Sequence, residues 1–135
     1  MKLPFYQIDA FTNKIFGGNP ACVVPLKEWL PNSTLLNIAK ENAVPETAFF
    51  IEHGERFHLR WFTPEIEMDL CGHATLATAH CLKTQMNYPK KEIVFETLSG
   101  DLTVAMYYEM YHLDFPSRMP IASELPKSIK NSLKL

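Results

Sequence analysis

Between Gly72 and about Met86 the chain carries Ala74, Leu76, Ala77, Ala79 and Leu82 at helical spacing. This is its most apolar helical segment, and a helix with so little polar face belongs inside a fold. Asn87-Tyr88-Pro89 stops it. The remaining segments read mostly as strands. The spacing therefore predicts a central helix with a sheet wrapped on it.

Leu3 to Phe11 reads as one strand, with Phe5, Tyr6 and Ile8 as strand formers. Thr12 to Pro20 reads as a loop through Gly17-Gly18-Asn19-Pro20, and Ala21 to Pro25 as a short strand closed by a proline. Pro31-Asn32-Ser33-Thr34 opens a helix, with Asn32 or Ser33 as its cap and Leu35, Leu36, Ile38 and Ala39 as its buried stripe. It ends over Asn42 to Pro45. Thr47 to His53 and Arg56 to Phe62 form a hairpin across Gly54-Glu55. Phe57, Leu59 and Trp61 point one way and His58 and Arg60 the other. Thr63 to Leu70 is a loop. Lys91 to Thr97, Leu102 to Tyr108 and Tyr111 to Phe115 are three further strands, turning at Ser99-Gly100-Asp101 and Glu109-Met110. A weak amphipathic helix runs from about Ala122 to Leu135, and its Lys127, Lys130 and Lys134 read as a solvated face. The order predicts an α+β chain with a mixed or antiparallel sheet.

Length and composition narrow the function. A chain of 135 residues with 47% apolar residues is one domain with a real core. A net charge of −2 gives no basic footprint for nucleic acid or an anionic membrane. No apolar run nears the roughly 18 residues of a membrane span. The first residues, Met1 to Gln7, lack a signal-peptide core. Three cysteines make no disulfide framework, so a reducing cytoplasm is the expected setting.

The densest chemistry lies where a loop enters the apolar helix, at Cys71-Gly72-His73-Ala74-Thr75. The first turn of a helix has free amides and the positive end of the dipole, so Gly72, His73 and Ala74 suit a carboxylate or oxyanion. Gly72 lets a ligand approach the backbone, and His73 adds a donor or an acid. The same dipole would lower the pKa of the Cys71 thiol. The plainer reading is an ordinary helix start with a buried cysteine. Glu46, entering an apolar strand, is the second candidate. Desolvation there would raise its pKa toward that of a general acid/base, and the alternative is an edge-strand charge or a local cap. Cys71, His73, His80 and Cys81 match no zinc spacing, so no metal is expected. Cys22 and Cys81 read as core, and His53, His58 and His112 as solvent-facing. Gly17-Gly18-Asn19-Pro20 lacks the Lys-Ser/Thr of a phosphate loop and reads as a turn, or as a loop lending Asn19 to a ligand.

Six short stretches occur in one order: Phe5-x-x-Ile8-Asp9-Ala10-Phe11, Gly18-Asn19-Pro20-Ala21, Glu46-Thr47-Ala48-Phe49, Phe62-Thr63-Pro64, Cys71-Gly72-His73-Ala74-Thr75 and Leu113-Asp114-Phe115-Pro116. Together, over about residues 3 to 120, they resemble the N-terminal half of the phenazine-biosynthesis PhzF-like family. That family is related in fold to diaminopimelate epimerase and proline racemase. The resemblance implies a single lobe of the diaminopimelate epimerase-like fold, a curved, mostly antiparallel sheet or barrel around a central helix. It implies an isomerase or epimerase that moves a proton between carbons without cofactor or metal, in a cleft between two lobes. The substrate class is a small metabolite with a carboxylate and an acidic C–H, phenazine precursors being one instance. Glu46 matches the family's acid/base carboxylate. Gly72 and His73 match positions that bind and orient substrate at the helix start, with Ala74 beside them. Asn19 matches a loop asparagine that serves ligand or scaffold. Cys71 matches the position where the racemase relatives carry a catalytic thiol, and is read as a helper.

Family chains are about twice as long. Residues 1–120 are therefore expected to form one lobe, and residues 121–135 a linker or helix toward an absent second lobe. The chain is a truncated piece, half of a two-chain protein, or a lobe that pairs with its own copy. An isolated lobe exposes apolar surface, so association with a second lobe or as a homodimer is expected. The alternative function is a catalytically incomplete lobe, a fragment or a module that binds small carboxylates.

Overall fold

A computed structural model describes residues 1–134. β1 (Tyr6–Ala10) pairs antiparallel with β2 (Asn19–Leu26). α1 (Asn32–Asn42) then carries the chain across, so that β3 (Glu46–His53) lies parallel to β2. β3 turns into β4 (Arg56–Phe62), and the two-residue β5 (Glu67–Met68) pairs with β4. After α2 (Gly72–Thr84) come β6 (Glu92–Thr97), β7 (Gly100–Tyr107) and β8 (Met110–Asp114). A short α3 (Lys127–Leu133) ends the described chain. The strand order is β1-β2-β3-β4-β6-β7-β8, with β5 attached to β4. Only the β2–β3 and β4–β6 pairings are parallel. This is the curved, mostly antiparallel α+β sheet that the sequence implies.

The sheet curls round α2. Val23, Phe50, Leu59, Trp61, Phe95 and Val104, from five strands, all pack on one cluster with Ala74, Ala77, Cys81 and Leu82 of α2. Small side chains let the strands approach from several sides. The buried Thr75 and Thr78 donate their hydroxyls to the carbonyls of Cys71 and Ala74 within the helix, which leaves no bare hydroxyl in the core. α1 covers the other face of the sheet, where Leu35 and Ala39 meet Val24, Phe49 and Phe62. Leu36 and Ile38 are only half-buried there.

Several local expectations change. β1 is shorter than Leu3 to Phe11. β2 starts at Asn19 and runs through Pro25. Pro25 is tolerated because the β1 ladder has already ended at Val23, so no β1 acceptor needs its missing N–H. The N-cap of α1 is Pro31, with no side-chain cap, and Asn32 instead accepts a hydrogen bond from Arg60. The stretch Thr63 to Leu70 is not all loop, since β5 forms within it. α2 stops at Thr84 rather than Met86, with the Gln85 and Met86 amides closing on the Cys81 carbonyl. Gly100 and Met110 lie in strands, so the last two turns sit one residue or more earlier than expected. His58 does not face solvent; its Nδ1 accepts from the indole N–H of Trp29 at 3.2 Å. The C-terminal helix is reduced to Lys127–Leu133 with no buried residue, because Pro126 stands inside the expected span and the helix starts only after it. The expected helix end at Leu135 lies outside the described residues.

Candidate functional site

Strand parity decides what the start of β3 presents. Ala48 and Phe50 face α2, so Glu46, two residues before Ala48, shares that face. Glu46 is paired with Ala21 of β2. The beginning of β3 is pinned by Asn42, at the end of α1, whose side-chain amide donates to the Thr47 hydroxyl at 3.0 Å. The loop after β4 then turns tightly: the Thr63 hydroxyl accepts from the amides of Glu65 and Ile66, and the Thr63 amide reaches the Ile66 carbonyl. This delivers Cys71 in an extended conformation as the N-cap of α2, and His73 in its first turn.

The result brings three of the expected residues together. Nε2 of His73 lies 3.2 Å from Oε2 of Glu46. Nδ1 of the same ring lies 3.5 Å from Sγ of Cys71. His73 is 8% exposed and Cys71 7%. The Nε2 and Oε2 atoms face each other without the alignment of a hydrogen bond, and neither has another protein partner among the described residues. Buried polar atoms left in this way are uncommon in folded proteins.

The thiol departs from the expectation. Burial pushes Cys71 up to about 11, and the Glu46 charge adds to that. The Ala74 and His73 amides face the sulfur and pull downward, as a helix start should, but burial outweighs them. Cys71 is thus a protonated thiol at neutral pH. Cys22 and Cys81 are free, buried and likewise raised to about 11, as core cysteines are.

The other expected site residues are placed around this cluster. Gly72 is half-open; a Cβ there would meet only the Phe115 ring, at an ordinary 3.5 Å. The Ala74 side chain is core, so only its backbone is available. Asn19 opens β2 on the α2-facing side, and its side chain makes no hydrogen bond to the cluster among the described residues. Its placement depends on Gly18, at φ +77, where a Cβ would clash with the Ala10 carbonyl oxygen. Glu46, Cys71 and His73 offer ligand atoms within 4.8 Å of one another. The sulfur and the carboxylate flank opposite ring nitrogens, however, and one cation takes only one of them. The arrangement is a chain of proton-bearing groups rather than a cage. His80, at the far end of α2, instead bonds the Tyr111 hydroxyl at 3.0 Å.

Sequence reasoning missed three features of this region. The indole Nε1 of Trp61 is fully buried, on the same sheet face as Glu46, without a partner among the described residues; only the alternation of β4 points to it. Arg60 and Glu67 bracket the loop that leads to α2. Arg118, beyond β8, reaches back to Asp69 at 2.9 Å and to Ser99. No local signal marks pairings between segments so far apart. The surface depression lined by Tyr6, Ile8, Asp9, Thr12 and His80 does not include Glu46 or His73. No helix among the described residues is long and apolar enough to cross a membrane.

Comparison with known proteins gives a consistent picture. The model of the phenazine biosynthesis-like protein family matches residues 8–130. An uncharacterized isomerase of Pseudomonas aeruginosa is 42% identical over 133 residues, covering 98% of this chain and 51% of that protein. The crystal structure of a PhzF-family protein from Enterococcus faecalis superposes with a TM-score of 0.86 at 44% identity, over 97% of this chain and 50% of that one. A predicted epimerase from Pseudomonas aeruginosa shares the fold at a TM-score of 0.68 and 21% identity, over 82% of this chain and 41% of its own. The chain spans about half the length of the relatives it matches.

Proposed function

Because the chain belongs to the phenazine biosynthesis-like protein family, we propose that it forms one lobe of a cofactor-independent isomerase or epimerase acting on a small carboxylate with an acidic C–H. The observation that carries this is the buried confrontation of Glu46 and His73 at 3.2 Å, with no other protein partner for either atom among the described residues. In this reading Glu46 takes the proton from carbon. The electron pair left behind spreads onto the substrate's carboxylate or carbonyl oxygen, held by the His73 N–H and the first-turn backbone of α2. Glu46 returns the proton to a different carbon; inversion at the same carbon would instead take its proton from a group of the second lobe or copy on the opposite face, with Glu46 keeping the one it removed, so that no net proton is consumed. Gly72 leaves the helix start open to the ligand, and Asn19 borders it.

Residues 1–120 are the lobe in this reading, and residues 121–135 lead toward a second lobe or a second copy that closes the site and excludes water. The exposed Ile121, Leu125, Ile129 and Leu133 suit such a partner. The three free cysteines suit a cytoplasmic setting.

A second reading is a lobe that binds small carboxylates without turnover. It is favoured by the start of α2, where Gly72 is half-open and a Cβ would meet only the Phe115 ring, so that the backbone can be approached by an anion. Deuterium wash-in from heavy water into a panel of carbon-acid carboxylates separates the two. Incorporation that is lost in Glu46→Gln supports the isomerase. Ligand-induced shifts of His73 resonances without incorporation support the binding module. Neither effect would sink both.

A further inference from the structure

We propose that Cys71 is a positioning residue: its thiol gives a hydrogen bond to Nδ1 of His73 and so fixes the imidazole in the tautomer that turns an N–H toward Glu46. This rests on the reading of Glu46 and His73 given above, but its test does not depend on turnover.

The 3.5 Å contact between Sγ and Nδ1 can run in either direction. In one the thiol donates to a bare nitrogen; in the other a ring N–H donates to sulfur. Three observations choose the first. The sulfur is buried and keeps its proton near neutral pH, so it has a proton to give. The Ala74 and His73 amides approach the sulfur as donors, which favours a ring nitrogen that accepts over one that would donate as well. At the far side of the ring, Nε2 confronts Oε2 of Glu46 at 3.2 Å. An ionised carboxylate only accepts, so a bare Nε2 would set two lone pairs against each other in a buried place. Both ends of the ring therefore call for the same arrangement, with the proton on Nε2 and none on Nδ1. At 8% exposure the ring has little solvent to offer a competing partner.

The inference gives Cys71 a role other than that of a base. A thiol that acts as a base must lose its proton, whereas this one works by keeping it. It is to His73 what a carbonyl or carboxylate is to many active-site histidines, a group on the far nitrogen that decides what the near nitrogen presents. Here the polarity is reversed, because the far group donates.

The test is long-range proton–nitrogen NMR of the imidazole rings in the nitrogen-15-labelled 135-residue chain, with His73 assigned by its loss in His73→Gln. The expected result is a single tautomer protonated on Nε2, with Nδ1 shifted from the free pyridine-type position toward the hydrogen-bonded range. Cys71→Ser, which keeps a donor, should preserve that shift. Cys71→Ala should return Nδ1 to the unbonded position. A proton on Nδ1, a doubly protonated ring at neutral pH, or an Nδ1 shift indifferent to Cys71→Ala overturns the proposal. If Cys71→Ala fails to fold, the wild-type and Cys71→Ser spectra still decide, since a bonded, unprotonated Nδ1 is required in both. A chain with this tautomer and no deuterium wash-in would refute the isomerase reading and leave the role of Cys71 standing.

Discussion

Arg60 grips both carboxylate oxygens of Glu67, with Nε at 2.7 Å and a terminal nitrogen at 2.8 Å. The two residues lie on adjoining strands, β4 and β5, and between them the chain makes the tight turn at Thr63–Ile66. The guanidinium also lies over the Trp29 and Phe62 rings, 4.9 and 5.2 Å from their centroids. A forked ion pair backed by aromatic faces is worth more than an exposed one, since its geometry is fixed and its solvation is already reduced. Its position matters most. It clamps the segment that brings Cys71 and His73 to Glu46.

Arg60→Lys keeps the charge but loses the fork and the stacking. We expect a loss of roughly 1–2 kcal/mol in unfolding free energy. Hydrogen exchange should quicken at the amides of residues 66–71 before it quickens in β6 and β7. Equal acceleration everywhere would mean that Arg60 supports the fold and not this loop in particular.

Glu46→Gln neutralises a carboxylate whose buried Oε2 has no aligned hydrogen bond among the described residues. Stability should change by less than about 1 kcal/mol, because little is lost when an unsatisfied charge is replaced by a neutral isostere. Proton exchange on a carbon acid should fall by a factor on the order of 10² to 10⁴, the usual contribution of a positioned acid/base. Calorimetry and deuterium wash-in on the same preparation check both halves. A large stability loss with exchange intact would make Glu46 structural.

Cys22, Cys71 and Cys81 are each pushed from an ordinary value near 9.0 to about 11 by burial. The folded chain therefore holds these protons more tightly than the unfolded chain. Below about 9 both states are protonated and nothing is lost. Between 9 and 11 the unfolded state releases its thiol protons first, so stability falls as pH rises. Each thiol can contribute up to about 2–3 kcal/mol across that window. Thermal unfolding midpoints at pH 8, 9, 10 and 11, compared with a Cys22→Ala, Cys81→Ala variant, should show a decline that becomes shallower in the variant. A flat profile would mean that the thiols titrate near their ordinary values when folded.

The sequence carried the inside of the fold better than its edges. The alternation of Phe57, Leu59 and Trp61 and the small residues of α2 are periodic signals, and burial enforces periodicity. Glu46, Cys71 and His73 stood out because charge, thiol and imidazole at the mouths of apolar elements are chemically conspicuous. Their mutual distances were not legible, since the β2–β3 crossover and the return through β5 set them. The direction of the Cys71 shift is not legible for a related reason. A helix start is visible in sequence, but the burial that overrides it comes from strands elsewhere in the chain. The pairings of Trp29 with His58 and of Arg118 with Asp69 join segments 29 and 49 residues apart, where no local pattern reaches.

The β7–β8 turn shows how a missing signal misleads. Tyr108 and Glu109 are its two central residues, both at positive φ, +48 and +63. That is the type I′ geometry, which suits the twist of a two-residue hairpin and is normally supplied by Asn-Gly. Without either residue the sequence points to a turn one position later. Tyr108 is fully exposed, so nothing in the described chain compensates for its conformation. Replacing Tyr108-Glu109 by Asn-Gly should therefore relieve strain at both positions, and the added glycine entropy in the unfolded chain only partly offsets this. The expected gain is about 1 kcal/mol, read as a higher unfolding midpoint with unchanged cooperativity. A lower midpoint would mean that the Tyr108 ring does work in the folded chain that its exposure conceals.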